Sequence, residues 1–368
     1  MRSLFARCLL LATGAAALGQ QPPAPPPLNA DPYTGVHSVD MTAMANGEQA
    51  PMAYLPCPSA ANRYIDMRFL SLKTTSAGQK EPLIQTQTRV TGQAAAFNVD
   101  TYRTGVVNTG DSPGIHLLIG QWSNAEDAIE IGATYIDPFF YKREFLAQTT
   151  QTGGQFGSRV TSTVDFVPTD TPLDYAHVYY KVYHWGLESN LRRRVVSDDC
   201  SWLDGILGLR YYQIHERYNI EAVPVDGNFV TESYHTGNDI FGLQIGVEAD
   251  RSIAEYVSIR GVAKYVVGFD WQWQSFRGTP GESLLTTDAV RGYHDDWKFG
   301  NFADLSIAVV GKLTPNIETS LGVTSLIFGG VKRAANVLDL QGLGAPQLKD
   351  GQDWLMLYGF QWTVKIDF

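Results

Sequence analysis

The chain has 368 residues, a formal net charge of −10, 18% charged residues and 12% aromatic ones. This acidic balance excludes the basic face that a nucleic-acid binder needs, so no nucleic-acid partner is expected. The three cysteines show no CxxC spacing, so the sequence offers no metal-ligand set, and neither a metal nor a cofactor is expected.

Residues 1–19 read as a secretory signal: Arg2 and Arg7 precede an apolar stretch from Cys8 to Leu18, and Ala17, Leu18 and Gly19 supply small residues at its end. The stretch is shorter than the roughly 20 apolar residues of a helical span. Residues 20–62 form a proline-rich periplasmic leader, because each proline lacks a backbone donor and interrupts both helix and ladder. The alternative is a segment that plugs a barrel. Cys57 and Cys200 are free to form a bridge or to remain as two thiols.

From Arg63 onward apolar and polar residues alternate in ten segments: 63–73, 113–123, 127–138, 176–192, 203–218, 237–250, 255–270, 301–313, 316–329 and 353–368. Period-two alternation marks strands with one face in each of two environments. The connections alternate short (Ser123–Glu126, Arg193–Trp202, Arg251–Ala254, Thr314–Pro315) and long (74–112, 139–175, 219–236, 271–300, 330–352). Short periplasmic turns and long outer loops are the rule for outer-membrane barrels. The expected fold is therefore all-β: a transmembrane, antiparallel, up-and-down barrel over 63–368. Ten strands are expected, with twelve as the alternative if 155–167 hides a further pair.

The last segment is the clearest. Tyr358, Phe360, Trp362, Val364, Ile366 and Phe368 share one face, after Met356, and that face suits lipid. An alternating strand that ends in an aromatic resembles the signal read by the barrel assembly machinery, which is the expected partner beside outer-membrane lipid. A monomer is expected.

Several segments together resemble one family. They are His184-Trp185-Gly186-Leu187-Glu188-Ser189-Asn190-Leu191-Arg192-Arg193, Gly208-Leu209-Arg210-Tyr211-Tyr212, Gly242-Leu243-Gln244-Ile245-Gly246, Arg260-Gly261-Val262-Ala263-Lys264 and Leu313-Thr314-Pro315. The pattern resembles the β-barrel porin family seven of planctomycete genomes over about residues 60–340. The resemblance implies an outer-membrane barrel and says little about activity.

On the alternation, Asp66, Arg68, Glu130, Glu188, Asn190, Arg210, Glu248, Arg260 and Lys264 project inward. Glu188 with Arg210, and Glu248 with Arg260 or Lys264, are the expected ion pairs. Such a lumen is either a polar path for solutes or a structural filling, and barrels this small fill their interiors with side chains. His184 is expected inside as a hydrogen-bonding residue, and His215 at the rim. Arg192, Arg193 and Arg194 are expected in a solvated periplasmic turn. Gly292-Tyr293-His294-Asp295-Asp296-Trp297 is read as an outer loop. Its histidine beside two carboxylates is the only hint of a hydrolase, and a solvated loop explains it as well. The expectation is an outer-membrane barrel, porin-like or structural, with no catalytic residues. An adhesin acting through the loops is the first alternative, and an outer-membrane hydrolase the second.

Overall fold

The computed structural model describes residues 62–75, 82–89, 97–103, 110–146, 159–162, 172–198, 200–224, 230–279, 290–336 and 351–368. The expected signal, nearly all of the leader and Cys57 lie outside them. The chain divides into two units, Met1–Ala53 and Tyr54–Phe368, and every described residue belongs to the second.

Its described residues form thirteen strands: β1 (Arg63–Thr74), β2 (Pro82–Arg89), β3 (Phe97–Arg103), β4 (Asp111–Trp122), β5 (Asp127–Leu146), β6 (Arg159–Ser162), β7 (Pro172–Ser197), β8 (Ser201–Pro224), β9 (Val230–Ala254), β10 (Val257–Thr279), β11 (Val290–Thr314), β12 (Ile317–Lys332) and β13 (Gln352–Asp367). Ten of them close an antiparallel ring in the order β1-β13-β12-β11-β10-β9-β8-β7-β5-β4, with β4 returning to β1. Closure leaves no unpaired sheet edge in the ring, which a bilayer would not tolerate. The remaining three run in the order β3-β2-β6 and join the start of β7 through Val160 and Thr161. The segment 155–167 thus holds β6, which adds to the sheet without enlarging the ring.

Both ends of the barrel chain meet at one rim, where Arg63 N donates to Phe368 O at 3.1 Å and Phe368 N to Arg63 O at 2.8 Å. The tight turns lie at this same rim. In the β7–β8 turn the Asp198 carboxylate accepts from Cys200 N at 2.9 Å and Ser201 N at 2.6 Å, which holds its pKa below the usual range.

At the opposite rim the structure corrects the expected loops. Much of 139–175, 219–236 and 271–300 is strand, and β7 alone runs for 26 residues. At about 3.3 Å per residue such a strand is far longer than the 9–11 tilted residues that cross hydrocarbon. Along β10 the alternation itself continues into the extension, with Trp271 and Trp273 facing out and Gln272 and Gln274 buried within, so the strand runs on past the expected end at residue 270.

The outer wall carries an apolar belt near the turn rim. Ile129 and Ile131 on β5, Leu207 and Leu209 on β8, Leu243, Ile245 and Val247 on β9, and Ile307 and Val309 on β11 are all exposed. The belt continues onto β13, where Tyr358, Phe360 and Trp362 are exposed, Val364 and Ile366 are half-buried, and Phe368 ends the face in the open. Soluble monomers rarely leave so continuous an apolar surface in water. Aromatic rings border the belt on the loop side: Trp185 meets Tyr211 edge-on at 5.1 Å, and Trp271 stacks on Trp297 at 6.4 Å. A belt bounded by aromatics on a closed ring is the signature of a transmembrane barrel.

Candidate functional site

The lumen is the site, and it has two storeys. The storey level with the belt is polar. Its centre is Arg192 of β7, whose Nε donates to Glu130 Oε1 at 2.6 Å, Nη1 to Asp204 Oδ2 at 3.2 Å and Nη2 to Glu248 Oε2 at 2.6 Å. Four strands thereby meet on one guanidinium, whose rigid planar fork suits several carboxylates at once. Tyr64 donates its hydroxyl to Glu130 as well, and Asn190 Nδ2 reaches Glu130 Oε2 at 3.2 Å. Room for the Tyr64 ring comes from Gly120 on β4, since a Cβ there would lie 2.2 Å from the ring.

The nine residues expected inside do face the interior, with Arg68 and Arg260 half-buried and the rest buried. Their pairing differs in part. Glu188 and Arg210 stand 4.0 Å apart, and Arg210 Nη1 is closer to Asp304 Oδ2, at 2.7 Å. Glu188 instead accepts from Lys264 Nζ at 3.0 Å and Gln244 Nε2 at 3.0 Å, with the His116 ring 3.4 Å away. Glu248 lies 3.8 Å from Arg260, which binds Asp250 at 2.9 Å and Glu318 at 2.8 Å more closely. Arg68 pairs with Asp66 on its own strand at 3.2 Å.

Asp304, Asp250 and Glu318 lie inside segments already read as strands, the last two near the turn rim, so the same alternation could have found them. Arg192 could not be placed so easily. Three successive arginines suggested a turn, whereas the strand runs on to Ser197 and the period of two sends Arg192 inward. Of its neighbours, Arg193 is exposed and pairs with Glu126 and Asp127. Arg194 binds Asp204 at 2.7 Å and lies over the rings of Trp122 and Trp202.

The storey toward the loop rim is built on aromatic rings, with Asp270, Gln272 and Gln274 of β10 buried beside them. Tyr212 of β8 approaches Phe328 of β12 at 4.8 Å between ring centroids, and Phe302 of β11 packs on both at 5.6 and 5.0 Å. β8 and β12 stand four places apart around the ring, so this contact crosses the lumen. A row of paired glycines, Gly242, Gly268 and Gly300, lines the neighbouring wall. There the backbones leave no room for a side chain, since a Cβ at Gly268 would meet Phe241 O at 2.1 Å. His184 is inside as expected, but its contacts are rings: Phe139 edge-on at 5.6 Å and Tyr212 at 6.2 Å.

Above these rings the end of β12 folds inward. Gly330, at φ 70°, lies in a register shift between Phe328 and Val331, a left-handed conformation that favours glycine. Asn238 then clamps the backbone of Lys332, accepting from its N at 2.6 Å and donating to its O at 2.9 Å. Arg333 Nε donates to Glu216 Oε1 at 2.5 Å, and Ala334 N to Glu216 Oε2 at 2.8 Å. Lys332, Arg333 and Ala334 have no exposure. This buried hook was invisible in the sequence, where 330–352 reads as a loop.

The segment 292–297 is part of β11 and not a loop. His294 and Asp295 therefore project to opposite faces; Asp295 accepts from Trp271 Nε1 at 3.3 Å, and Asp296 pairs with Lys298 at 2.7 Å. His215 faces outward, edge-on to Trp273 at 5.2 Å and 4.0 Å from Asp239.

No protein-family model matches the sequence, and no curated protein matches it. Among solved structures, the outer membrane protease OmpT from Escherichia coli is similar at 13% identity and a TM-score of 0.42, over 83% of this chain and 97% of that one. The toluene transporter TodX of Pseudomonas putida is similar at 8% identity and a TM-score of 0.35, over 84% and 90% of the two chains. The attachment invasion locus protein Ail of Yersinia pestis is similar at 9% identity and a TM-score of 0.22, over 84% and 100%.

Proposed function

We propose that this is a bacterial outer-membrane barrel whose lumen is closed to solutes. Its membrane part is a structural anchor, and its working surface is the long wall and loops beyond the membrane. The observation that carries this reading is the Tyr212–Phe328 contact across the lumen, with the ion network filling the storey below it. A ten-stranded ring leaves little interior beyond its own side chains, while water-filled channels need about sixteen strands or more. The buried charges of the polar storey are paired with one another, and such pairs fix a barrel's geometry.

Kinship with porin family seven and assembly through the final strand belong to this proposal too. The test is conductance in a planar bilayer. Wild-type protein inserted in its folded form is expected to give no discrete ionic steps, and regular steps would overturn the closed reading in favour of a porin.

A further inference from the structure

Above the apolar belt, one sector of the outer wall concentrates basic side chains in an unusual way. Cross-strand register sets Lys181 of β7 directly against Arg217 of β8, and Arg277 of β10 directly against Arg291 of β11. Like charges facing each other in an antiparallel pair destabilise it, and here this happens twice on one face. The two pairs are joined through β9, where His235 neighbours Arg217 and Ser233 neighbours Arg277. Arg217, Arg277 and Arg291 are exposed, and none of the four cations forms an ion pair with a described residue. Lys181 rests over the ring of Tyr183 at 4.6 Å, and Arg217 Nε touches only Asn219 Oδ1, at 3.1 Å.

Carboxylates on the same outer face are engaged elsewhere. Asp239 accepts from Tyr211 and Gln213, Asp295 from Trp271, Glu144 pairs with Lys142 and Glu221 with His177. On the far side of the ring the cation at the loop rim, Lys73, is paired with Asp111. Among the described residues the β7–β11 sector thus holds four cations without an ion-pair partner, while Asp239, Asp295 and Glu221 keep their charge on the same face with their oxygens turned to other donors.

Its height is also specific. On β10 and β11 the cations lie loop-side of the outward aromatics, Arg277 two outward positions beyond Trp273 and Arg291 one beyond Tyr293, and on β7 Lys181 lies among them, between Tyr183 and Tyr179. Aromatics mark the level of the lipid headgroups, so the guanidinium groups stand at or just outside that level. We infer that this sector binds the phosphate groups of an anionic lipid in the loop-side leaflet, whose acyl chains lie on the belt beneath. Arginine forks match phosphate oxygens, and a bound phosphate relieves the repulsion within each like-charged pair. The inference is independent of whether the lumen conducts.

The experiment is native mass spectrometry of the full chain in detergent, supplied with either phosphatidylglycerol or phosphatidylcholine. Wild-type protein is expected to retain phosphatidylglycerol, and to retain it at least ~10-fold more than phosphatidylcholine, in keeping with several basic groups acting together on one headgroup. The quadruple variant K181Q/R217Q/R277Q/R291Q is expected to lose that preference, while R251Q/K312Q at the turn rim keeps it. Heat-modifiable gel migration establishes that each variant is folded. If the quadruple variant does not fold, the wild-type comparison of the two lipids decides alone. Equal retention of both lipids, or a folded quadruple variant that still prefers phosphatidylglycerol, overturns the inference. So does displacement of the lipid by inorganic phosphate alone, which would mark a site for the free anion.

Discussion

Arg333 at the inward-folded end of β12 donates to Glu216 of β8 at 2.5 Å, and neither side chain has any exposure to solvent. The pair ties one wall of the barrel to another across its interior. Removing either partner leaves a buried charge without its counter-ion, which costs about 3–5 kcal/mol. Arg333→Ala and Glu216→Ala are therefore each expected to lower the urea midpoint of unfolding, followed by tryptophan fluorescence. The double variant is expected to recover part of the loss, since no orphan charge remains.

Arg192 is expected to be as sensitive, and its neighbour is not. Replacing Arg192 by Met strands Glu130, Asp204 and Glu248 beside one another in the interior, again at about 3–5 kcal/mol. Lysine is a poor substitute, because a point charge cannot serve three carboxylates that a planar fork reaches together. Arg193→Ala removes only exposed pairs and is expected to change stability by less than about 1 kcal/mol. Heating series of gel migration separate these variants.

The belt makes a prediction that depends on depth. Ile245 lies at mid-belt on β9, and Ile245→Arg is expected to destabilise the inserted barrel by about 2–4 kcal/mol. Gln213→Arg, outward on β8 at the level of the interfacial Trp185 and Tyr211, is expected to cost less, at most about 1 kcal/mol from placing the charge. Equilibrium unfolding in lipid vesicles measures both.

Gly120 tests the packing of the polar storey. A side chain there meets the Tyr64 ring, which donates its hydroxyl to Glu130. Gly120→Val is expected to cost about 1–3 kcal/mol through overpacking. Pairing it with Tyr64→Phe, which keeps the ring, is expected not to rescue it, whereas Tyr64→Ala relieves the clash.

The ring of strands was legible because lipid on one side and ions on the other impose a clean contrast, as in Leu243-Gln244-Ile245. On β10 the alternation persists through Trp271-Gln272-Trp273, so this extension was legible too, and only its length beyond the roughly 9–11 residues of a span argued for a loop. Inward charges were legible residue by residue, yet their partners were not. Lys264 chose Glu188 from three places around the ring, a pairing set by barrel curvature that no single strand encodes. Arg192 was misplaced because a local feature, three adjacent arginines, outweighed a periodicity that extends past it. The hook at Arg333 depends on Gly330, Asn238 and Glu216 together, and the sequence does not show that these residues meet.

The central claim is a wall with lipid outside and no water path within, and thiol labelling on β10 tests both halves together. In a background with Cys57 and Cys200 replaced by serine, Tyr265→Cys and Val267→Cys face out, whereas Val262→Cys and Val266→Cys face in. For the barrel in lipid vesicles, the outward pair is expected to react with a membrane-soluble maleimide and to resist a charged thiol reagent, and the inward pair is expected to resist both. Rapid modification of Val262→Cys and Val266→Cys by the charged reagent, or of Tyr265→Cys and Val267→Cys from water, would contradict it.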